Sequence, residues 1–527
     1  MTLERALERG PAEPAIAEYP RAAAAGAPSL RSIAWNGFWT VAMTSSAGLV
    51  ALVVPPFLVR TLTHAEYGAW ALALQVASYV LVLGFGLQGA VGRFVALARG
   101  PQAAAERSGV LAAAFHLTCV AALIGVALVG AAALALPYFF SDMPAALAAD
   151  FRVALLLCGG AAALALVGTP FTGLFLGQQR AHVPALIVLA GRAVQCALLI
   201  FAALRFRTLE SLALAYCAGQ LLITGAQLAA SSRDGRAMRA LVRAADALHY
   251  RELLRFCAPF ALWNLLAVLS FGSDLLIVSK LDFAAAPYYA VGLTVTTIFV
   301  GFLASAYNSL LPPAAQQLGA GNRRTLLAML LRGGRAGVGM SLAVGVPLVF
   351  AAAGPLELWV GAAYADAAAP YVALLILAQI VRLSMSMYGS VTIAAGRHRT
   401  MLLAPVLDAA VALPVGIGLG SYIGAPGVAL GMLAGALTNV AAWYLKDPLR
   451  EVFALPHVGR LFVRACVPPV LTAVAGCAAA GCVLFAFGVL GDDWLRLAAS
   501  LVVSLAVAVV ALRRPPRAAE GALPGAP

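Results

Sequence analysis

The chain has 527 residues, of which 62% are hydrophobic and 11% charged, with a formal net charge of +13 and a mean hydropathy of +0.92. That balance excludes an ordinary water-soluble protein, because apolar runs of about 18 residues or more recur along the chain and match the thickness of a hydrocarbon layer. The positive charge does not indicate nucleic-acid binding, since the basic residues sit in short connections between apolar runs, as the orientation rule for membrane proteins requires.

Residues 1–32 are rich in Ala, Pro, Arg and Glu and read as a disordered cytoplasmic segment. No short apolar stretch with a small-residue cleavage site precedes the first long run, so that run is expected to act as its own insertion signal. Fourteen transmembrane helices are expected, at 33–58, 68–92, 108–136, 153–177, 183–204, 209–230, 257–279, 285–311, 336–354, 370–395, 400–420, 424–445, 462–489 and 494–512. Strands are not expected, because the runs are long and do not alternate. Helices one to six, 33–230, form a first lobe; helices seven to twelve, 257–445, form a second; 446–512 adds helices thirteen and fourteen, and 513–527 is a disordered tail. Between the lobes, SSRDGRAMRALVRAADALHYRELLRF (231–256) sets Leu241, Ala244 and Leu248 at helical spacing among Arg233, Arg236, Arg239 and Arg243. This predicts a basic amphipathic helix on the inner membrane surface, or a charged stop-transfer linker. With the N-terminus in the cytoplasm, most of the 35 Lys and Arg residues fall on the cytoplasmic side. Both termini are then cytoplasmic and the number of spans is even.

The stretch FLVRTLTHAEYGAWALAL (57–74) returns in looser form as LIVSKLDFAAAPYYAVGLTV (276–295). Each is a helix end, a base (Arg60 or Lys280), a short gap, a tyrosine and a new apolar run. A Trp-Asn pair precedes both, Trp35-Asn36 and Trp263-Asn264. Two six-helix halves of like orientation, with a central site between them, are the expected consequence. The first turn is read as an outer-face hairpin bent by Pro55 and Pro56.

Charges at bilayer depth are costly and usually face a cavity or one another. Four stand in spans: Arg192, Asp274, Arg382 and Asp408, with Arg93 at the inner end of the second. Each either lines a substrate cavity or fixes helix packing through an ion pair or hydrogen bond. Polar stripes at helical spacing accompany them: Thr294, Thr297, Gly301, Ser305 and Asn308; Gln379, Arg382, Ser386 and Ser390; Trp263, Ser270 and Asp274; Asn36, Thr40 and Thr44. One stripe alone fits interhelical hydrogen bonding; four together point to a hydrophilic central cavity. All bases but Lys280 and Lys446 are arginine, and a planar guanidinium suits a phosphate-bearing cargo. No nucleophile elbow, P-loop or metal-ligand spacing is present. His116 stands alone, and the eight cysteines lie in or beside apolar runs as small buried hydrophobes. No enzyme, cofactor or metal site is expected, and the outer connections are too short for a catalytic domain.

The stretch PPFLVRTLTHAEYGAWALALQVASYVLVLGFGLQGAVGRFVALARG (55–100) resembles the polysaccharide transporter family, the Wzx-type oligosaccharide flippases of the MATE-like MOP superfamily. The resemblance rests on Phe57, Leu58, Arg60, Leu62, Tyr67, Gly68 and Trp70, then Gly84, Gly86, Arg93 and Phe94. It implies an all-α, V-shaped bundle of two six-helix lobes plus two extra C-terminal helices. Its function would be to flip an undecaprenyl-pyrophosphate-linked oligosaccharide across the bacterial inner membrane by alternating access, for surface polysaccharide synthesis. It also implies a cationic cavity, with Arg192 and Arg382 as contacts for phosphate or an acidic glycan, and polymerase or ligase machinery as partners. Phe85 stands where the family often carries an acid, so no role of that acid transfers. Coupling to H+ or Na+ is left open. The alternatives are a lipid II flippase or a cation-coupled multidrug exporter of the same superfamily, and then a membrane enzyme of glycan assembly.

Overall fold

The computed structural model describes residues 30–84, 86–98, 103–140, 143–232, 245–308, 314, 317–318, 321–395, 403–489 and 491–513. Residues 1–29 of the N-terminal segment, the Arg233–Arg243 portion of the expected amphipathic helix, Phe85 and nearly all of the C-terminal tail lie outside these residues, and residues 30–32 open the first helix instead. In chain order the helices are α1 (Leu30–Val53), α2 (Pro55–Thr61), α3 (His64–Ser78), α4 (Leu87–Leu97), α5 (Ala103–Phe139), α6 (Ala145–Gly177), α7 (His182–Arg205), α8 (Leu209–Ser232), α9 (Ala247–Phe271) and α10 (Asp274–Leu281). They continue with α11 (Ala286–Asn308), α12 (Arg323–Phe350), α13 (Ala353–Val360), α14 (Ala362–Leu383), α15 (Ser386–Ala394), α16 (Leu403–Ile423), α17 (Ala425–Lys446), α18 (Arg450–Phe453), α19 (Val458–Ala486) and α20 (Asp493–Leu512).

Among the described residues, thirteen helical stretches are long and apolar enough to cross a membrane. The expected seventh span is divided instead: α9 stops at Phe271 and α10 resumes at Asp274. The break frees the carbonyl of Gly272. It accepts hydrogen bonds from Gln75 Nε2 at 2.8 Å and from the Tyr79 hydroxyl. In hydrocarbon a freed carbonyl costs several kcal/mol unless such donors reach it. The donors come from the second span, itself interrupted by a 3-10 turn at Tyr79–Gly84. Two broken helices thus meet at their breaks.

Large apolar side chains such as Leu123, Leu134, Val502 and Leu505 face outward. On a soluble protein this would be a liability, whereas against lipid it costs nothing. Helix association here depends on close backbone approach rather than on expulsion of water. Along α17, Gly427, Gly431 and Gly435 form a small-residue stripe against α16. A Cβ on Gly431 would lie 2.3 Å from Gly416 Cα, and one on Gly427 would lie 2.4 Å from the Leu419 carbonyl carbon. The first half uses the same device: a Cβ on Gly173 or Gly177 of α6 would meet the carbonyl oxygens of Gln88 and Gly92 on α4 at 2.5 and 2.6 Å. The last two long helices, α19 and α20, pack on α12. Only 17% of the apolar window of α19 is buried, against 56% for that of α6, which makes α19 peripheral.

Replacing Gly431 by Val should push α16 and α17 apart. An overpacking cost of about 1–3 kcal/mol is expected, read as a lowered thermal midpoint in detergent, whereas Gly418→Ala, with nothing within 4 Å of its Cβ, should leave the midpoint unchanged.

Candidate functional site

Two features stand out: a cavity in the second half and a closed seam at one end of the bundle. The cavity has a volume of about 640 Å³ and is lined from α10, α11, α14, α15, α16 and α17. The polar stripe Gln379, Arg382, Ser386 and Ser390 lines it along its whole length, continuing from α14 into α15 across the turn at Ser384. From α11 come Thr297 and Gly301, and from α10 comes Asp274.

Arg382 is the centre of the cavity wall. Its Nε donates to Asp408 Oδ2 at 2.9 Å, and its Nη2 donates to Asp408 Oδ1 at 3.0 Å and to the Met432 carbonyl at 3.1 Å. Asp408 is fully buried and also accepts from Asn439 Nδ2 at 3.3 Å. One guanidinium therefore ties α14 to α16 and α17 in a bidentate pair. Asp274 is 2% exposed; its carboxylate accepts from the Leu275 amide at 3.0 Å and from the Tyr289 hydroxyl at 3.3 Å. Among the described residues, no three His, Cys, Asp or Glu side chains gather as a metal site would need.

The other sequence candidates sit elsewhere. Arg192 lies in the first half, donating from Nη1 to Gln195 Oε1 at 2.6 Å, while Gln195 Nε2 donates to the Tyr216 carbonyl. Arg93 places its guanidinium 5.0 Å from the Phe256 ring, over the start of the broken seventh span rather than in the cavity. Asn36 joins α1 to the turn between α6 and α7, donating to Gln179 Oε1 and accepting from the Ala181 amide at 3.0 Å. Thr40 and Thr44 donate to carbonyls of their own helix, and His116 pairs with the Tyr250 hydroxyl at 2.7 Å. The side chains of Asn308, Ser305, Trp263 and Ser270 lie outside the described residues. Sequence reasoning missed Asn439 and Trp443, which also line the cavity. Their i, i+4 spacing on α17 was the available signal.

The seam lies where the two repeated turns meet. Thr63 and Glu66 form a capping box that starts α3: the Thr63 side chain accepts from the Glu66 amide, and Glu66 Oε2 accepts from the Thr63 amide at 2.8 Å. This T-x-x-E signal explains the polar gap between the first two apolar runs. The gap then docks on the second turn. A Cβ on Gly68 would stand 3.1 Å from Pro287 Cδ and 3.6 Å from Ala286 Cβ, so the two turns are in contact because residue 68 is glycine. The His64 ring stacks on Tyr364 at 4.9 Å, with Tyr288 and Tyr67 completing an aromatic cluster. Trp359 Nε1 donates to the Leu52 carbonyl at 2.7 Å, and Lys280 Nζ donates to the Phe139 carbonyl. Apart from the capping box and the Tyr288–Tyr364 pair, these contacts join the first half to the second.

Asp408→Asn should leave the Arg382 charge without its counter-ion and destabilise the protein by about 3–5 kcal/mol. The double variant Arg382→Met/Asp408→Leu should recover most of that loss in the same thermal-unfolding measurement. Damage in the double variant equal to the sum of the damages in Arg382→Met and Asp408→Leu alone would show that the pair contributes nothing as a pair.

A family model described as "Polysaccharide biosynthesis protein" matches residues 33–317. No curated protein sequence matches the chain. Among solved structures, the lipid II flippase MurJ in an inward closed conformation is similar at a TM-score of 0.67 and 13% identity, over 90% of this chain and 98% of that one. An inward-facing multidrug resistance MATE family transporter of the MOP superfamily is similar at 0.60 and 14% identity, over 81% and 95%. A Vibrio cholerae MATE transporter, VcmN, is similar at 0.57 and 16% identity, over 80% and 97%. These likenesses show the fold: an all-helical, multi-pass membrane protein of MATE and MurJ architecture.

Proposed function

Because the chain belongs to the polysaccharide biosynthesis protein family, a family of MOP superfamily transporters, we propose that it flips a polyprenyl-pyrophosphate-linked oligosaccharide across the bacterial inner membrane by alternating access. The supporting observation is the pairing of a cavity that carries a polar stripe with a seam that closes one end of the bundle. The sugar head needs a hydrogen-bonding path through hydrocarbon, while the lipid tail can stay in the bilayer.

With both termini in the cytoplasm, the seam of His64, Tyr67, Gly68, Pro287, Tyr288 and Tyr364 faces the periplasm. The sugar head enters the cavity from the cytoplasmic side while the seam is shut. The two six-helix lobes, 33–230 and 257–445, then rock against each other, parting the seam and closing the opposite end. The break at Gly272 lets α9, which packs on both α5 and α16, hinge against α10 as the lobes move. No bond in the cargo is made or broken, so no catalytic residue is required, and downstream polymerase or ligase machinery takes the translocated glycan.

Such a cycle cannot run if the seam is welded. The 3.6 Å between the Gly68 Cβ position and Ala286 Cβ suits a disulfide, whose Cβ atoms stand about 3.5–4.5 Å apart. A Gly68→Cys/Ala286→Cys variant, oxidised in vesicles, should lose the protein-dependent exposure of labelled polyprenyl-pyrophosphate oligosaccharide to an external glycosidase. Reduction should restore it. Undiminished exposure with the crosslink formed would rule out opening at the seam.

A further inference from the structure

The charge balance of the cavity limits what part of the cargo it can hold. Among the described residues lining it, Arg382 is the sole basic side chain and Asp274 the sole acidic one. The positive charge of Arg382 is already matched: two of its nitrogens are engaged by Asp408, which sits behind the wall and is fully buried. Counting Asp408 with the site, two carboxylates face one guanidinium. With Asp274 ionised the cavity is negative, and with Asp274 protonated it is neutral; in neither state is it positive. A pyrophosphate or a uronate carboxylate entering it would meet no unmatched cation and would have to be desolvated at full cost.

The remaining lining fits a different chemistry. Trp443 and Tyr307 supply aromatic surface, while Gln379, Asn439, Thr297 and Ser390 supply amide and hydroxyl groups that both donate and accept. A flat apolar face with a few polar groups around it suits a pyranose ring, which has an apolar face and a rim of hydroxyl and acetamido groups. The volume of about 640 Å³ lies within the ~300–1,000 Å³ range of small-molecule sites.

Resting on the flippase reading above, we propose that this cavity is the subsite for an uncharged part of the glycan, neutral hexose or N-acetylhexosamine units, and that it rejects acidic sugars and the pyrophosphate. The cargo's anionic group is then carried outside this cavity. The resemblance to cationic-cavity transporters led to the opposite expectation for Arg382.

Protection of a cavity cysteine tests this. Thr297 is exposed and lines the cavity, so Thr297→Cys adds a thiol there, read as the increase in maleimide labelling over the parent chain. A neutral N-acetylglucosamine trimer should slow that labelling by about tenfold at saturation, a difference of 1.4 kcal/mol. A galacturonate trimer and inorganic pyrophosphate should leave it unchanged. Ser386→Cys, which also lines the cavity, should show the same pattern. Trp443→Ala should abolish protection by the neutral trimer. Protection by galacturonate or pyrophosphate equal to that by the neutral trimer, or no protection by any probe, would overturn the proposal. The vesicle exposure assay reads the flippase function separately: exposure without the protection pattern sinks only the subsite, and the protection pattern without exposure sinks only the flippase reading.

Discussion

The pair between Arg382 and Asp408 is the interaction on which the second half of the molecule depends. Hydrocarbon offers a charge no water, so a guanidinium at that depth must find its counter-ion within the protein or not be there. Once paired, it fixes the relation of three helices, because it also reaches the carbonyl of Met432 on α17. That cross-link sets the spacing of α14, α16 and α17 at the cavity wall, and the rest of the polar stripe on α14 and α15 lines the same cavity. The ion pair is therefore architecture first, and it sets the charge of the cavity as a consequence.

Small residues supply the complementary constraint. Where α16 and α17 touch backbone to backbone, Gly427, Gly431 and Gly435 leave room for nothing else. Where the two repeated turns meet, Gly68 does the same against Pro287. The first contact lies within one proposed lobe and has many atoms at close range, as a rigid joint does. The second lies between the proposed lobes and is built of stacked rings and single hydrogen bonds. Aromatic pairs of that kind contribute about 0.5–1.5 kcal/mol each, strong enough to close a gate and weak enough to be reopened.

Much of this was legible in the sequence, and the remainder was hidden for definable reasons. The all-helical membrane fold followed from the length of the apolar runs and their lack of alternation. The stripe from Gln379 to Ser390 followed from helical period, which is a local property and carries across the short turn at Ser384 from α14 into α15. Which way a face points is not local. Arg93 reads either as a cavity group or as a packing group, and it lies over Phe256; Asn36 turns toward the turn at Gln179. That Asp408 is the partner of Arg382 depends on how α14 and α16 cross, which no periodicity encodes. The repeat between 57–74 and 276–295 was visible as a likeness, but the docking of one copy on the other was not. The division of the seventh span at Gly272 was missed because the flanking apolar run continues across it.

The central claim, that the two ends of the bundle open in turn, is tested most directly by distances between spin labels. One pair, replacing Glu210 and Asp366, would report on the seam end. The other, replacing Arg180 and Arg460, would report on the opposite end. All four side chains are exposed. On adding the lipid-linked oligosaccharide to the reconstituted protein, the account predicts a second population in which the seam-end distance is longer and the opposite-end distance shorter. Distances that stay single and unchanged at both ends, in protein that flips its cargo, would contradict it.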